Sequence, residues 1–186
     1  MSSIDELREA LDRAGSPTER RLYFVAFLMR DAGWKVDDAI VVGGSAIEIY
    51  TSGRYTTGDI DLVVTAPNLP DRILRSWGFR EQGRIRYHDE LAIVVDFVKP
   101  PYTGDPDRCQ VLTTPYGPVR IAAIEDLLVK RLASAKHWRR PEDLEHAKIL
   151  AVLYRDRIAW DYVAEQAARY NVEDVMANLR AAIGRE

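Results

Sequence analysis

Apolar positions set the first elements. Ile4, Leu7, Leu11 and Ala14 recur at helical spacing and predict a helix over 4–14, with Ser3 as its N-cap and Gly15 as its stop. Leu22, Val25, Ala26 and Met29 repeat the pattern over 17–31, where Pro17 suits a first turn and Trp34 is expected to pack in the core. The period then shortens. Residues 40–42 and 59–65 read as strands on either side of a helix over 46–51, which Gly44-Ser45 opens. A helix over 71–77 precedes a hairpin of 84–88 and 91–98 that turns at Asp89-Glu90. In its second arm Leu91, Ile93, Val95 and Phe97 alternate with Ala92, Val94, Asp96 and Val98. Both faces are apolar, so this arm is expected to be a central strand with one acid on it. Residues 109–113 and 119–122 form another strand pair around Pro115-Tyr116-Gly117, and the chain then turns helical over 124–137, 142–155, 160–170 and 172–183. The expected organisation is an α/β core with two N-terminal helices over 1–122, and a helical C-terminal part over 123–186 that packs on it.

The candidate chemistry lies where the first strand meets its turn. Ile40-Val41-Val42 runs into Gly43-Gly44-Ser45, and Asp59 and Asp61 follow in the second strand. Side chains alternate along a strand, so Asp59 and Asp61 share one face while Ile60 takes the buried one. Two like charges beside so apolar a run are unfavourable unless a cation or hydrogen bonds compensate. Paired carboxylates suit a divalent metal, because Mg²⁺ takes hard oxygen ligands from one or two carboxylates and substrate phosphates. Asp96, in a still more apolar run, has a reason to exist as a third member of that site; the plain alternative is a salt bridge to Arg84 or Arg86 on the paired strand. Gly43 and Gly44 permit close backbone approach, and a helix N-terminus offers N–H groups to a phosphate. Ser45 can add its hydroxyl to that phosphate, cap the helix, or do both.

A Gly-Gly-Ser turn after a strand, an Asp-x-Asp on the next strand and a later third carboxylate resemble the nucleotidyltransferase superfamily of DNA polymerase β. Within it, the chain is similar to the small prokaryotic AbiEii-like group. The resemblance covers about 38–98 and extends more weakly to about 150. It implies a mixed-sheet nucleotidyltransferase fold of the α/β (α+β) class, with Mg²⁺ or Mn²⁺ at Asp59, Asp61 and Asp96 and a nucleoside triphosphate as substrate. The nucleotide would be held at Gly43, Gly44, Ser45, Arg54 and Lys130. Leu128-Val129-Lys130-Arg131-Leu132-Ala133 resembles the segment in which the group's lysine approaches the nucleotide. Asp143, in Arg140-Pro141-Glu142-Asp143, then either orients Lys130 or caps the next helix. The sequence departs from the group at Ala46-Ile47-Glu48-Ile49, where a basic residue is usual, and Arg54 is the candidate to replace that charge. The implied activity transfers an NMP to an acceptor hydroxyl on tRNA, a protein or a small molecule, in a toxin-like role with a cognate antitoxin. The alternative is a catalytically silent nucleotide-binding protein of the same fold.

Composition narrows the classes. At 186 residues, 47% hydrophobic and 30% charged, the chain has a globular composition, and its net charge of −3 argues against a protein dominated by non-specific nucleic-acid binding. A basic cluster at Lys136, His137, Arg139 and Arg140 remains open to a polyanionic acceptor or to a plain inter-helix loop. One cysteine, Cys109, excludes an intramolecular disulfide and a cysteine-rich zinc site; it reads as a small strand residue. His88 and His146 are expected to be structural or exposed. No signal-like segment or membrane-length apolar run is visible, so a cytoplasmic protein without membrane contact is expected.

Overall fold

In the computed structural model, which describes residues 2–184, the two N-terminal stripes form α1 (Ser3–Asp12) and α2 (Pro17–Asp31). The α1 cap is Ser2 rather than the expected Ser3, because the Asp5 carboxylate accepts from both the Ser2 amide and its hydroxyl. Ser3 lies inside the first turn, where its hydroxyl donates to Asp31 and accepts from Trp77 Nε1. Ser16 caps α2, accepting from the Glu19 amide at 3.1 Å, and Pro17 stands at the first helical position. Phe24 and Phe27 on α2 are fully buried, the first against Phe79 and Trp77 and the second against Tyr116. Trp34 is half-buried.

The strands are β1 (Ala39–Val41), β2 (Ile60–Val64), β3 (Arg80–Gln82), β4 (Ile85–His88), β5 (Ile93–Val98), β6 (Gln110–Thr114) and β7 (Gly117–Ile121). Between them lie α3 (Gly43–Tyr50) and α4 (Asp71–Ser76). They form one mixed sheet in the order β3-β4-β5-β2-β1-β7-β6, an α/β fold. β1–β7 and β2–β5 are parallel and the other pairs antiparallel. β5 sits between β4 and β2, as its two apolar faces require. β3 is the element that periodicity does not reveal. Arg80, Glu81 and Gln82 are all exposed at the sheet edge, so no apolar alternation is needed to form it. Cys109 falls just before β6, at the end of a short 3₁₀ turn, and not inside a strand.

The chain divides after Ala122 into two compact units. The second is helical: α5 (Ile124–His137), α6 (Pro141–Leu153), α7 (Trp160–Arg169) and α8 (Glu173–Ile183). Leu128, Leu132, Leu150, Val163 and Leu179 are among its buried residues. Asp143 joins α6 to α5. Its carboxylate pairs with Arg131 at 2.6 Å and accepts from the Ser134 hydroxyl at 2.5 Å. His146 Nδ1 approaches it at 3.4 Å. The carboxylate is therefore neither a helix cap nor a partner of Lys130, the two roles expected for it; the α6 cap is Arg140. Burial pushes up on the Asp143 carboxyl, but the Ser134 and Arg131 hydrogen bonds outweigh it and hold it below the usual carboxylate range. No helix among the described residues is long and apolar enough to cross a membrane.

Deleting the Asp143 carboxylate leaves the Arg131 guanidinium, only 20% exposed, beside no counter-charge. We expect Asp143→Ala to lower stability by about 2–4 kcal/mol in urea denaturation. A loss below about 0.5 kcal/mol would show that this network does not hold α5 to α6.

Candidate metal centre

The centre is built on the start of α3. Val42 ends the apolar run in an extended conformation and serves as the helix cap, and Gly43 turns the chain at φ +57. A Cβ at Gly43 would overlap the Asp61 carboxylate, and one at Gly44 would lie 3.3 Å from Thr57 Oγ1. Two glycines therefore bring the helix N-terminus directly onto β2. Asp61 Oδ2 accepts the Gly44 N–H at 2.9 Å. Ser45 fixes the same residue through its backbone: its hydroxyl accepts the Asp61 N–H at 3.0 Å and donates to the Val42 carbonyl at 2.9 Å. Ser45 is thus not the helix cap, since α3 begins two residues earlier.

Asp59 lies just before β2, and its Oδ1 accepts from Thr57 Oγ1 at 2.8 Å. Thr57 is itself held by a residue that pattern reasoning passed over. Glu48 is only 1% exposed; it accepts the Thr57 amide at 2.8 Å and the Thr18 hydroxyl at 2.8 Å, and it pairs with Arg21. Arg21 also donates to the Thr57 carbonyl. The available signal was an acid within the apolar run Ala46–Ile49, which has to be paired once buried. Glu48 acts as a brace for the loop that carries Asp59.

Asp96 arrives through strand register. The parallel pairing of β2 with β5 sets Asp61 beside Asp96. Asp96 is 6% exposed. Arg84 Nε stands 2.7 Å from Asp96 Oδ1, the salt-bridge alternative expected for this acid. The N–H is misdirected, however, and this buried oxygen has no hydrogen-bond donor. The contact is Coulombic and leaves Oδ1 coordinatively unsatisfied.

One carboxylate oxygen from each of Asp59, Asp61 and Asp96 lies within 4.8 Å of the other two. All are hard donors, which suits Mg²⁺ or Mn²⁺ over softer metals. The unsatisfied Oδ1 of Asp96 and the glycine cradle around Asp61 both fit a cation there. The electrostatics agree. Burial, then the charge of Asp59, pushes the Asp61 carboxyl up to about 6 against the pull of the Ser45 and Gly44 amides, and Asp96 adds to the rise. Three carboxylates with one off-line arginine are under-compensated, and a divalent cation reverses that balance.

The other expected site residues are placed differently. The Gly44 and Ser45 amides already act on Asp61. Arg54 is exposed in the turn after α3. Lys130 is a half-buried residue of α5 in the second unit; burial lowers its ammonium, and Asp126 one turn earlier opposes this. In the basic cluster, Lys136 donates to the Asn171 carbonyl and pairs with Asp174, and His137 Nε2 meets the Tyr170 carbonyl. Arg139 and Arg140 are exposed. His88 is buried against Phe79 and His146 lies beside Asp143, both structural as expected.

Fold and site together define an α/β mixed-sheet protein whose three converging carboxylates are able to hold a metal. Comparison with protein-family models, with curated proteins and with solved structures gave no match.

Two substitutions test this geometry. Well below pH 3.8 Asp61 is protonated in both the folded and unfolded chain, and it carries no cost. Between its unfolded value of 3.8 and about 6 only the unfolded chain releases the proton, so stability falls as pH rises through this window. Asp61→Asn should therefore stabilise the protein at pH 7.5 by about 1–2 kcal/mol and leave it nearly unchanged at about pH 3. Thermal melts across pH measure this, and a pH-independent difference would refute the account. Gly43→Ala forces a Cβ into the carboxylate at a left-handed φ. It should cost about 1–3 kcal/mol in urea denaturation and abolish any Mn²⁺-induced rise in Tm, whereas an unaltered Mn²⁺ response would show that the cradle is dispensable.

Proposed function

We propose that the protein is a Mg²⁺-dependent nucleotidyltransferase that moves an NMP from a nucleoside triphosphate to an acceptor hydroxyl. The observation that carries this reading is the convergence of Asp59, Asp61 and Asp96 beside a helix that begins with two glycines. Asp59 and Asp61 would hold Mg²⁺ or Mn²⁺, with Asp96 as the third ligand. A bound divalent cation supplies charge neutralisation on the phosphates and acidifies the attacking hydroxyl. Gly43 and Gly44 let the triphosphate approach the backbone, and the amides of the first α3 turn are shared between Asp61 and the phosphate. Asp96, whose Oδ1 accepts no hydrogen bond, takes the proton of the acceptor hydroxyl. The acceptor oxygen then bonds to the α-phosphorus, the bond to the bridging oxygen breaks, and pyrophosphate leaves. The protein's part is positioning and charge compensation.

The acceptor classes are a tRNA end, a hydroxyl on a partner protein, or a small molecule. A toxin-like role, with a cognate antitoxin in the cytoplasm, accompanies the first two. A silent nucleotide-binding protein is the second reading. The engagement of the Gly44 amide and the Ser45 hydroxyl within the protein favours it, since neither is fully available to a phosphate.

Purified protein is incubated with Mg²⁺ and each of the four α-³²P-labelled NTPs, with and without bulk tRNA, beside Asp96→Asn. Label is expected on tRNA or protein, with transfer reduced about a hundredfold or more in the variant. Metal-dependent nucleotide binding without transfer to any acceptor would select the silent reading, and the absence of both binding and transfer would remove the proposal.

A further inference from the structure

Arg84 occupies an unusual position relative to the three carboxylates. It follows Gly83, which has φ +60, in the tight turn between β3 and β4. Its backbone is anchored, because its carbonyl accepts the Phe97 N–H at 3.1 Å beside Asp96. Its side chain is not anchored. It is 65% exposed, and its one contact with the centre is Nε to Asp96 Oδ1 at 2.7 Å, without hydrogen-bond alignment. Among the described residues it is the sole cationic side chain within salt-bridge distance of Asp59, Asp61 or Asp96.

The three carboxylates are therefore unequal. Asp59 and Asp61 are fixed by neutral donors, the Thr57 hydroxyl and the Gly44 amide, which leave their negative charge uncancelled. Asp96 is already matched to a positive charge. A cation entering at Asp59 and Asp61 meets no competitor. A cation reaching Asp96 must share that carboxylate with a guanidinium of like sign, which is unfavourable at this separation. An ion pair in which a solvent-exposed guanidinium meets a buried carboxylate without hydrogen-bond alignment lacks the directional part of its strength and yields to a divalent ion. Only side-chain torsions need change, because the Arg84 backbone stays bound to β5.

We propose that Arg84 is a displaceable internal counter-ion that makes loading of the centre stepwise. Asp59 and Asp61 take the first divalent cation, and Asp96 is recruited only as Arg84 swings out. This rests on the reading of the three aspartates as a metal centre.

Mn²⁺ binding by calorimetry tests it on the full chain, with wild type, Arg84→Gln, Arg84→Lys and Asp96→Asn compared. Wild type is expected to show a tighter and a weaker step. Arg84→Gln should tighten the weaker step at least about tenfold. Arg84→Lys should stay close to wild type, and Asp96→Asn should lose the weaker step while keeping the first. In unmodified protein, the Arg84 Nε–H NMR signal should shift on addition of Mg²⁺ at the concentrations that fill the weaker step. An Arg84→Gln isotherm that matches or is weaker than wild type, or an Arg84 signal indifferent to Mg²⁺, would overturn the counter-ion role while the metal centre stands. A wild type that binds no Mn²⁺ would overturn the metal centre itself, and the counter-ion role with it.

Discussion

The seating of the Asp61 carboxylate on the first turn of α3 is the contact on which the rest of the site depends. A helix N-terminus presents unsatisfied N–H groups and a positive dipole end, and Asp61 supplies the anion. The contact needs a backbone without side chains at the turn, which Gly43 and Gly44 provide, and a second tie, which Ser45 makes to the Asp61 amide. Helix α3 and strand β2 are thereby locked in one relative position. Every other acid of the cluster is placed with respect to that lock: Asp96 by register across β5, and Asp59 by the loop that enters β2.

Charge in the first unit is arranged in two styles. The Glu48–Arg21 pair is largely buried, and Thr18 and Thr57 complete the shell of the Glu48 carboxylate. A buried pair of this kind contributes little net stability but penalises alternative arrangements, so it suits a brace. The aspartate cluster is the reverse. Its charges are close, partly buried and under-compensated, and the raised Asp61 carboxyl records the cost. Proteins keep unfavourable charge of this sort where a ligand resolves it. Arg84 relieves part of the repulsion, from an exposed side chain, without closing the site.

Much of the fold was legible in local pattern. The helical stripes of α1 and α2 and the alternation in β5 carry their own periodicity, because each element buries one face or both, and the glycine and proline breaks mark where elements end. β3 carried no such signal, since an exposed edge strand is held by backbone pairing alone. Cap residues were misplaced by one position at Ser2 and by three at Val42, where backbone geometry, not residue type, decides the boundary. Asp143 shows the same limit on a larger scale. Its spacing suggested a cap or a partner for Lys130, whereas its carboxylate turns to Arg131 and Ser134 on a neighbouring helix.

For the site, the sequence by itself determined which acids stand in apolar surroundings, Asp59, Asp61 and Asp96, and which turn has no side chains, Gly43-Gly44. Those are properties of residue type and short-range period. Only the tertiary structure decided that the acids meet, because the register of two parallel strands distant in the chain sets Asp61 beside Asp96. It alone decided that Glu48 braces Asp59 through Thr57, and that Arg84 stands against the third carboxylate. The physical reason is the same in each case. A charged group chooses its partner by proximity and geometry after packing, and neither is encoded in the spacing of residues along the chain.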